Sequence, residues 1–255
     1  MRLSQVVSSI EARIPPSWAY EWDNCGLLVG ETGSPVERIG VCLDVDSQSV
    51  EWALENGCQL LVAHHPAIFR PLRRIVDDGS GCPLLKAIRG GLAVYGAHTS
   101  WDVAPFGASV VLGRFLGLSD MSPMEPRGEW GLGVVGHLGA VAPDALMGRA
   151  RSLWGLSWAF VSGAQDIQVS RVSICAGSGG ELWRLALSLG AQMLITADVK
   201  YHDLLDAEAA GLVIGVVDHG EMEHATLGDL RDLIESATGV ETLLGPRRQG
   251  RVRFV

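Results

Sequence analysis

The stretch Leu60-Leu61-Val62-Ala63-His64-His65-Pro66 carries a short apolar run into two adjacent histidines and stops it with a proline. The run has the length and bounding of a fully buried strand. Proline lacks the N–H that would continue a ladder, so the chain must turn there. Two imidazoles are thereby delivered at the C-terminal end of a core strand, where open α/β sheets place their ligands. Only 7 histidines occur in 255 residues, so two side by side are a marked feature. Neighbouring strand residues point to opposite faces, and a shared site therefore requires the backbone to leave strand geometry at Pro66. The plainer alternative is one buried, hydrogen-bonded histidine and one exposed one.

Upstream, residues 39–44 (IGVCLD) read as a strand, and Asp46 can cap the helix that follows, with Val50, Ala53 and Leu54 facing inward. Gly57 suits the end of that helix. Strand, short helix and strand make a βαβ unit with parallel strands and a right-handed crossover. Further upstream, Leu3, Val6, Val7, Ile10 and Ile14 mark one face of a first helix ended by Pro15-Pro16, and the turn 22–26 leads into the strand LLVG. Downstream come a loop with Arg70, Arg73 and Arg74, a helix from Pro83 to Arg89, and the strand 92–95 running into Gly96-Ala97-His98-Thr99-Ser100-Trp101-Asp102. A helix over 107–116 ends at Gly117, and residues 118–131, with Pro123 and Pro126, read as a linker.

The second half alternates in the same way, with strands in VVGHLGA, SWAFVSG, RVSICAG, 192–196 and LVIGVVD and helices over 179–189, 202–210 and 224–237. Gly57-Cys58-Gln59-Leu60-Leu61-Val62-Ala63-His64 parallels Gly190-Ala191-Gln192-Met193-Leu194-Ile195-Thr196-Ala197-Asp198, which suggests two related lobes.

Apolar residues make up 47% and charged residues 19%, an ordinary folded composition. A net charge of −9 argues against nucleic acid or an anionic membrane as the main partner. The cluster Arg247, Arg248, Arg251 and Arg253 reads as a charged edge strand. The five cysteines are scattered without a C-x-x-C pair, the pattern of reduced thiols in a cytoplasmic protein. No run approaches membrane-spanning length and no signal-like block opens the chain.

Four strand ends carry metal-capable groups: His64-His65, His98…Asp102, Asp198…His202 and Asp218-His219…Glu223. In a parallel arrangement those ends share one rim. Mixed imidazole and carboxylate donors suit Zn²⁺, Mn²⁺, Fe²⁺ or Ni²⁺. His219 and Glu223 are spaced i, i+4, one helical face apart. The same DHGEMEH stretch also offers Glu221 and His224, and composition does not choose between the pairs. Cys175-Ala176-Gly177-Ser178-Gly179-Gly180 reads either as a phosphate-binding loop at a helix start or as a plain tight turn.

The motifs WDNCGLLVG (22–30), LLVAHHPAIF (60–69), GAHTSWD (96–102), CAGSGG (175–180), TADVKYHDLLDAEAAGL (196–212) and DHGEME (218–223) together resemble the GTP cyclohydrolase I type 2-like family, also called the Nif-three-like family, in its short form. The resemblance implies one domain over 1–255 built as an α/β fold of two similar lobes, approximately 1–120 and 121–255. It further implies mostly parallel sheets, a metal site in the cleft between the lobes, and a homo-oligomer in the form of a hexameric ring. It also implies two divalent metal ions held by His64, His65 and Asp102, with His219 and Glu223 on the family's last His–Glu pair. This chain departs from that pattern in carrying Asp218 where a glycine is usual.

The function so implied is a dinuclear-metal-dependent hydrolase acting on a small-molecule substrate, a nucleotide ring in the GTP cyclohydrolase version. Two metals about 3.5–4 Å apart would activate a water. His98 or His202 would move protons, while Arg70, Arg73, Arg74 or the glycine loop would hold a triphosphate. The rival function is a non-catalytic metal-binding, metal-delivery or regulatory interaction protein.

Overall fold

The computed structural model describes residues 1–77 and 82–247. In chain order its elements are α1 (Leu3–Glu11), β1 (Gly26–Val29), β2 (Arg38–Cys42), α2 (Ser47–Glu55), β3 (Leu60–Ala63), α3 (Pro83–Arg89), β4 (Ala93–Gly96), α4 (His98–Asp102), α5 (Ala108–Leu116) and β5 (Ser119–Arg127). They continue with β6 (Trp130–Val141), α6 (Pro143–Trp154), β7 (Ala159–Ser162), β8 (Val169–Ser178), α7 (Trp183–Ser188) and β9 (Met193–Ala197). The last are α8 (Tyr201–Ala209), β10 (Val213–Val217), α9 (His219–His224), α10 (Leu227–Thr238) and β11 (Glu241–Leu244).

The chain divides into two units, Met1–Trp101 with Leu227–Arg247, and Asp102–Thr226. This is not a halving near residue 120. The last helix and strand return to the first unit, where β11 pairs in parallel with β2. Of the arginine-rich end, residues 248–255 lie outside the described residues.

The first unit holds a five-stranded sheet in the order β1-β4-β3-β2-β11. Strands β2, β3 and β4 are parallel and joined by α2 and α3, while β1 lies antiparallel on β4. α2 starts where expected: the Asp46 carboxylate accepts the Ser49 N–H at 2.8 Å and Ser49 Oγ accepts the Asp46 N–H at 2.8 Å. A reciprocal cap of this kind is worth about 1 kcal/mol. All four residues of β3 are fully buried. Leu61 and Ala63 pack with Val50 and Ala53 of α2 and Ala87 of α3. Burial on both faces is what a central parallel strand demands, hence the continuous apolar run.

The second unit holds a six-stranded sheet in the order β5-β6-β8-β9-β10-β7. Its centre, β8-β9-β10, is parallel and joined by α7 and α8. The flanking pairs β5–β6, β6–β8 and β10–β7 are antiparallel. The mostly parallel character expected of both sheets thus holds for the first and for the middle of the second.

Residues 118–131 are not a linker: Ser119–Arg127 form β5, an edge strand paired with β6. Pro123 and Pro126 disguised it, and both are tolerated because an edge strand needs only half of its N–H groups. Apolar positions of β6, α7, β9 and β10, among them Val135, Trp183, Leu194 and Ile214, form this unit's core. Among the described residues no helix is long and apolar enough to cross a membrane.

Candidate metal centre

In the first unit β3 ends at Ala63, so His64 and His65 already lie beyond the strand. Backbone bonds from His64 N–H to Cys42 O (3.0 Å) and His65 N–H to Leu43 O (2.9 Å) hold them at the sheet's end. Released from strict alternation, their rings lie side by side, centroids 4.9 Å apart. His64 is fully buried and His65 half-buried. His98 opens α4 just after β4, and its ring is 5.6 Å from that of His64 and 5.7 Å from that of His65.

Two of these rings are oriented by carboxylates. His65 Nδ1–H donates to Asp44 Oδ1 at 2.9 Å, and His98 Nδ1–H donates to Asp23 Oδ1 at 2.7 Å. In both cases Nε2 is the nitrogen left to face a ligand, the arrangement that metal-binding histidines use. The Asp23 carboxylate has no exposed surface. Burial alone would raise its pKa, but hydrogen bonds from His98, Thr99 and Cys25 outweigh that and hold it well below the usual carboxylate range. His98 sits at φ 22°, a backbone strain that this carboxylate helps to maintain.

In the second unit β10 ends at Val217, and the Asp218 carboxylate caps α9 by accepting the Glu221 N–H at 2.9 Å. α9 puts His219 and Glu223 on one face, with Nε2 and Oε1 3.1 Å apart. His219 Nδ1–H donates to Asp198 Oδ2 at 2.6 Å, from just past β9. Burial opposes charge on this ring, but the bonds to Glu223 and Asp198 prevail and raise its pKa to about 9. Asp198 is itself held at φ 53°.

Of the other pair from DHGEMEH, Glu221 is engaged outside α9. Glu221 Oε2 accepts the Ser157 N–H at 2.6 Å and the Ser157 hydroxyl at 2.9 Å, which occupies it away from Glu223. Asp102, at the end of α4, is 8% exposed. Burial, followed by the Asp102 and Glu223 charges, pushes the Cys175 thiol upward. His202 is an exposed residue of α8.

The first four residues of CAGSGG, Cys175–Ser178, continue β8, and Gly179-Gly180 make the connection from that strand towards α7. Gly177 passes so close to α9 that a Cβ there would lie 2.2 Å from Glu223 Oε1 and 3.3 Å from His219 Nε2. The four strand ends also divide between two sheets rather than sharing one rim: His64-His65 and His98 belong to the first, Asp198 and His219 to the second. Asp44 and Asp23 were not singled out from the sequence. Asp44 does sit at the end of the strand beside the histidines, the one local signal of its role.

Residues 1–246 match the model of the Duf34/NIF3 (NGG1p interacting factor 3) family. The chain belongs to this family. A relative from Lactococcus lactis, named a GTP cyclohydrolase 1 type 2 homolog, is 32% identical over 240 residues, 92% of each chain. Another of the same name from Streptococcus pneumoniae is 30% identical over 219 residues, covering 84% of this chain and 83% of its own. The fold matches the crystal structure of a Bacillus cereus protein related to NIF3 with a TM-score of 0.94 at 20% identity, covering all of this chain and 99% of that one.

Proposed function

We propose that the protein is a dinuclear-metal-dependent hydrolase of small molecules, with a nucleotide as the leading substrate class. The observation that carries the reading is the pair of neighbouring imidazoles, His64 and His65, with His65 turned by Asp44 so that Nε2 is presented. The donors suit borderline divalent cations such as Zn²⁺, Fe²⁺, Mn²⁺ or Ni²⁺: neutral imidazoles, carboxylates and no thiolate among the candidates. His64, His65 and Asp102 would hold one part of the centre, and His219 and Glu223 the other. Such a pair of ions supplies Lewis acidity and makes a water nucleophilic near neutral pH.

The chain's own groups supply the rest. Asp44, Asp23 and Asp198 fix the tautomers of His65, His98 and His219. His98, no member of the ligand set, is placed to accept or return a proton at Nε2 while Asp23 steadies the ring. Gly177 leaves room for Glu223 to stay in place. The relatives' printed name supports a nucleotide ring as the point of attack. A hexameric ring, which rests on the family resemblance, and a cytoplasmic setting, which rests on the scattered cysteines, belong to the same proposal.

Elemental analysis of wild type, His65→Ala and Asp44→Asn after loading with each metal is the first test. Wild type should carry two equivalents, His65→Ala should lose metal, and Asp44→Asn should bind about 10- to 100-fold more weakly. Unchanged content in His65→Ala refutes the site. Loaded protein is then incubated with GTP and a panel of nucleotides and phosphoesters. No turnover above a metal-free control refutes the hydrolase and leaves a metal carrier.

A further inference from the structure

Beside the first unit's histidines lies a group of aromatic side chains that the ligand set does not use. Trp22 is 59% exposed and Phe69 46% exposed. Trp22 and Phe69 meet edge to face at 5.9 Å, and each stands edge to face with His98 at 6.1 Å. Tyr20 backs Trp22 in a stacked arrangement, centroids 5.4 Å apart and planes 18° apart.

These rings are held in place from below. Asp23, next to Trp22, is buried against His98 and Thr99. Asn24 Nδ2–H donates to Ile68 O at 2.5 Å and so ties the Trp22 segment to the residue preceding Phe69. Gly96 lets Pro66 pass close to β4, since a Cβ there would meet Pro66 Cβ at 3.0 Å, and this anchors the loop that carries Phe69. The exposed rings are thus set on a fixed base, which favours ligand binding by reducing the ordering cost. Arg70, Arg73 and Arg74 follow Phe69 directly and are exposed.

We propose that Trp22 and Phe69 form a stacking wall that receives a flat heteroaromatic ring of an anionic small molecule and holds it beside His98. Two properties select this occupant. Exposed aromatic rings recognise any ring with a π face, which sugars and aliphatic acids lack. Three arginines immediately along the chain favour negative charge on the same molecule. The inference rests on the reading of this site as one that acts on a small-molecule substrate, and it names the part of the substrate that is gripped.

The test uses the full chain stripped of metal by chelation, so that its outcome is separate from that of the metal analysis. Calorimetric titration is made with adenosine monophosphate, cytidine monophosphate and ribose phosphate. Adenosine monophosphate should bind tightest and ribose phosphate weakest. Trp22→Ala and Phe69→Ala should each weaken adenosine monophosphate by about 5- to 150-fold. Trp22→Phe should keep most of the affinity, and ribose phosphate should be indifferent to all three changes. Both side chains are exposed, so the variants should melt like wild type. Equal binding of ribose phosphate and adenosine monophosphate overturns the proposal, as does Trp22→Ala with undiminished affinity or the absence of nucleotide binding. Trp22→Ala that alters only the size of the assembly shows instead that the rings pack against a second copy.

Discussion

The strand–strand–helix–strand–helix–strand segments β1-β2-α2-β3-α3-β4 and β7-β8-α7-β9-α8-β10 follow one plan. In each, the last three strands are parallel and the first lies antiparallel on the last. The likeness extends to single atoms. Gln59 Oε1 accepts the N–H groups of Glu37 and Arg38, and Gln192 Oε1 accepts those of Ser170 and Arg171. A short helix opens with a histidine after the last strand of each, His98 in α4 and His219 in α9, with a carboxylate four residues on, Asp102 and Glu223.

The difference lies at the end of the middle strand, where β3 leads to His64-His65 and β9 to Ala197-Asp198. One lobe therefore offers imidazoles and the other a carboxylate that steadies His219. A shared scaffold with unlike strand ends can present imidazole in one lobe and carboxylate in the other without altering its core, because strand ends are free to vary while buried strand faces are not.

If the two lobes are equivalent scaffolds, the equivalent core residues Leu61 and Leu194, both fully buried, should count alike. Leu61→Ala and Leu194→Ala should each cost about 2–5 kcal/mol. Scanning calorimetry of the two variants checks this. Each substitution should lower the transition of its own unit, and a single transition lowered equally by both would show one cooperative body instead of two.

The comparison sharpens at two glycines with the same left-handed backbone. Gly177 has φ 68° with Glu223 against it, whereas Gly91 has φ 67° and nothing within 4 Å of its would-be Cβ. Alanine at either should cost roughly 1–2 kcal/mol for the backbone alone. Only Gly177→Ala should also displace the Glu223 carboxylate and lose metal. Equal metal content in the two variants would show that the Gly177 contact does not set the position of Glu223.

The lobes should also differ in their response to pH. His219 is raised from 6.5 to about 9 in the folded chain by Glu223 and Asp198. A raised pKa means that the folded state holds the proton more tightly. Metal-free protein should therefore keep this stabilisation below pH 6.5 and lose it as pH rises towards 9. Asp198→Asn should flatten the slope, as followed by thermal melts across that range in the presence of chelator. A wild-type slope that Asp198→Asn leaves unchanged would assign the loss to another group.

Much of this could be read in advance where the signal is local. The apolar run before His64-His65, the cap at Asp46 and the paired motifs around Leu61 and Leu194 each lie within a few residues, and each gave the right element. What escaped depends on distant partners. Asp23 meets His98 75 residues away and Asp44 meets His65 21 residues away, so neither carboxylate advertises its role. β5 is a strand only because β6 pairs with it, against the local advice of two prolines. Gly177 looked like part of a turn because its purpose, clearance for Glu223, lies 46 residues further on.

The smallest expected effect bears most directly on the repeat. Gln59 and Gln192 are surface side chains that an isolated view would dismiss, yet each ties the start of one parallel strand to the start of its neighbour. Removing the amide at either leaves a pair of backbone N–H groups near a sheet end without their acceptor, although water can partly replace it. At about 0.5–1.5 kcal/mol for each bond lost, Gln59→Ala and Gln192→Ala should each destabilise by about 1–2 kcal/mol in denaturant melts. Gln→Glu restores the acceptor but not the Nε2 donor, which bonds Gly57 O at 2.7 Å from Gln59 and Gln168 O at 3.4 Å from Gln192, and should recover part of that loss. A cost in one lobe and none in the other would mean that the matching bonds are an accident of shape; equal costs, recovered equally by Gln→Glu, would mean that both lobes fasten their parallel strands by one device.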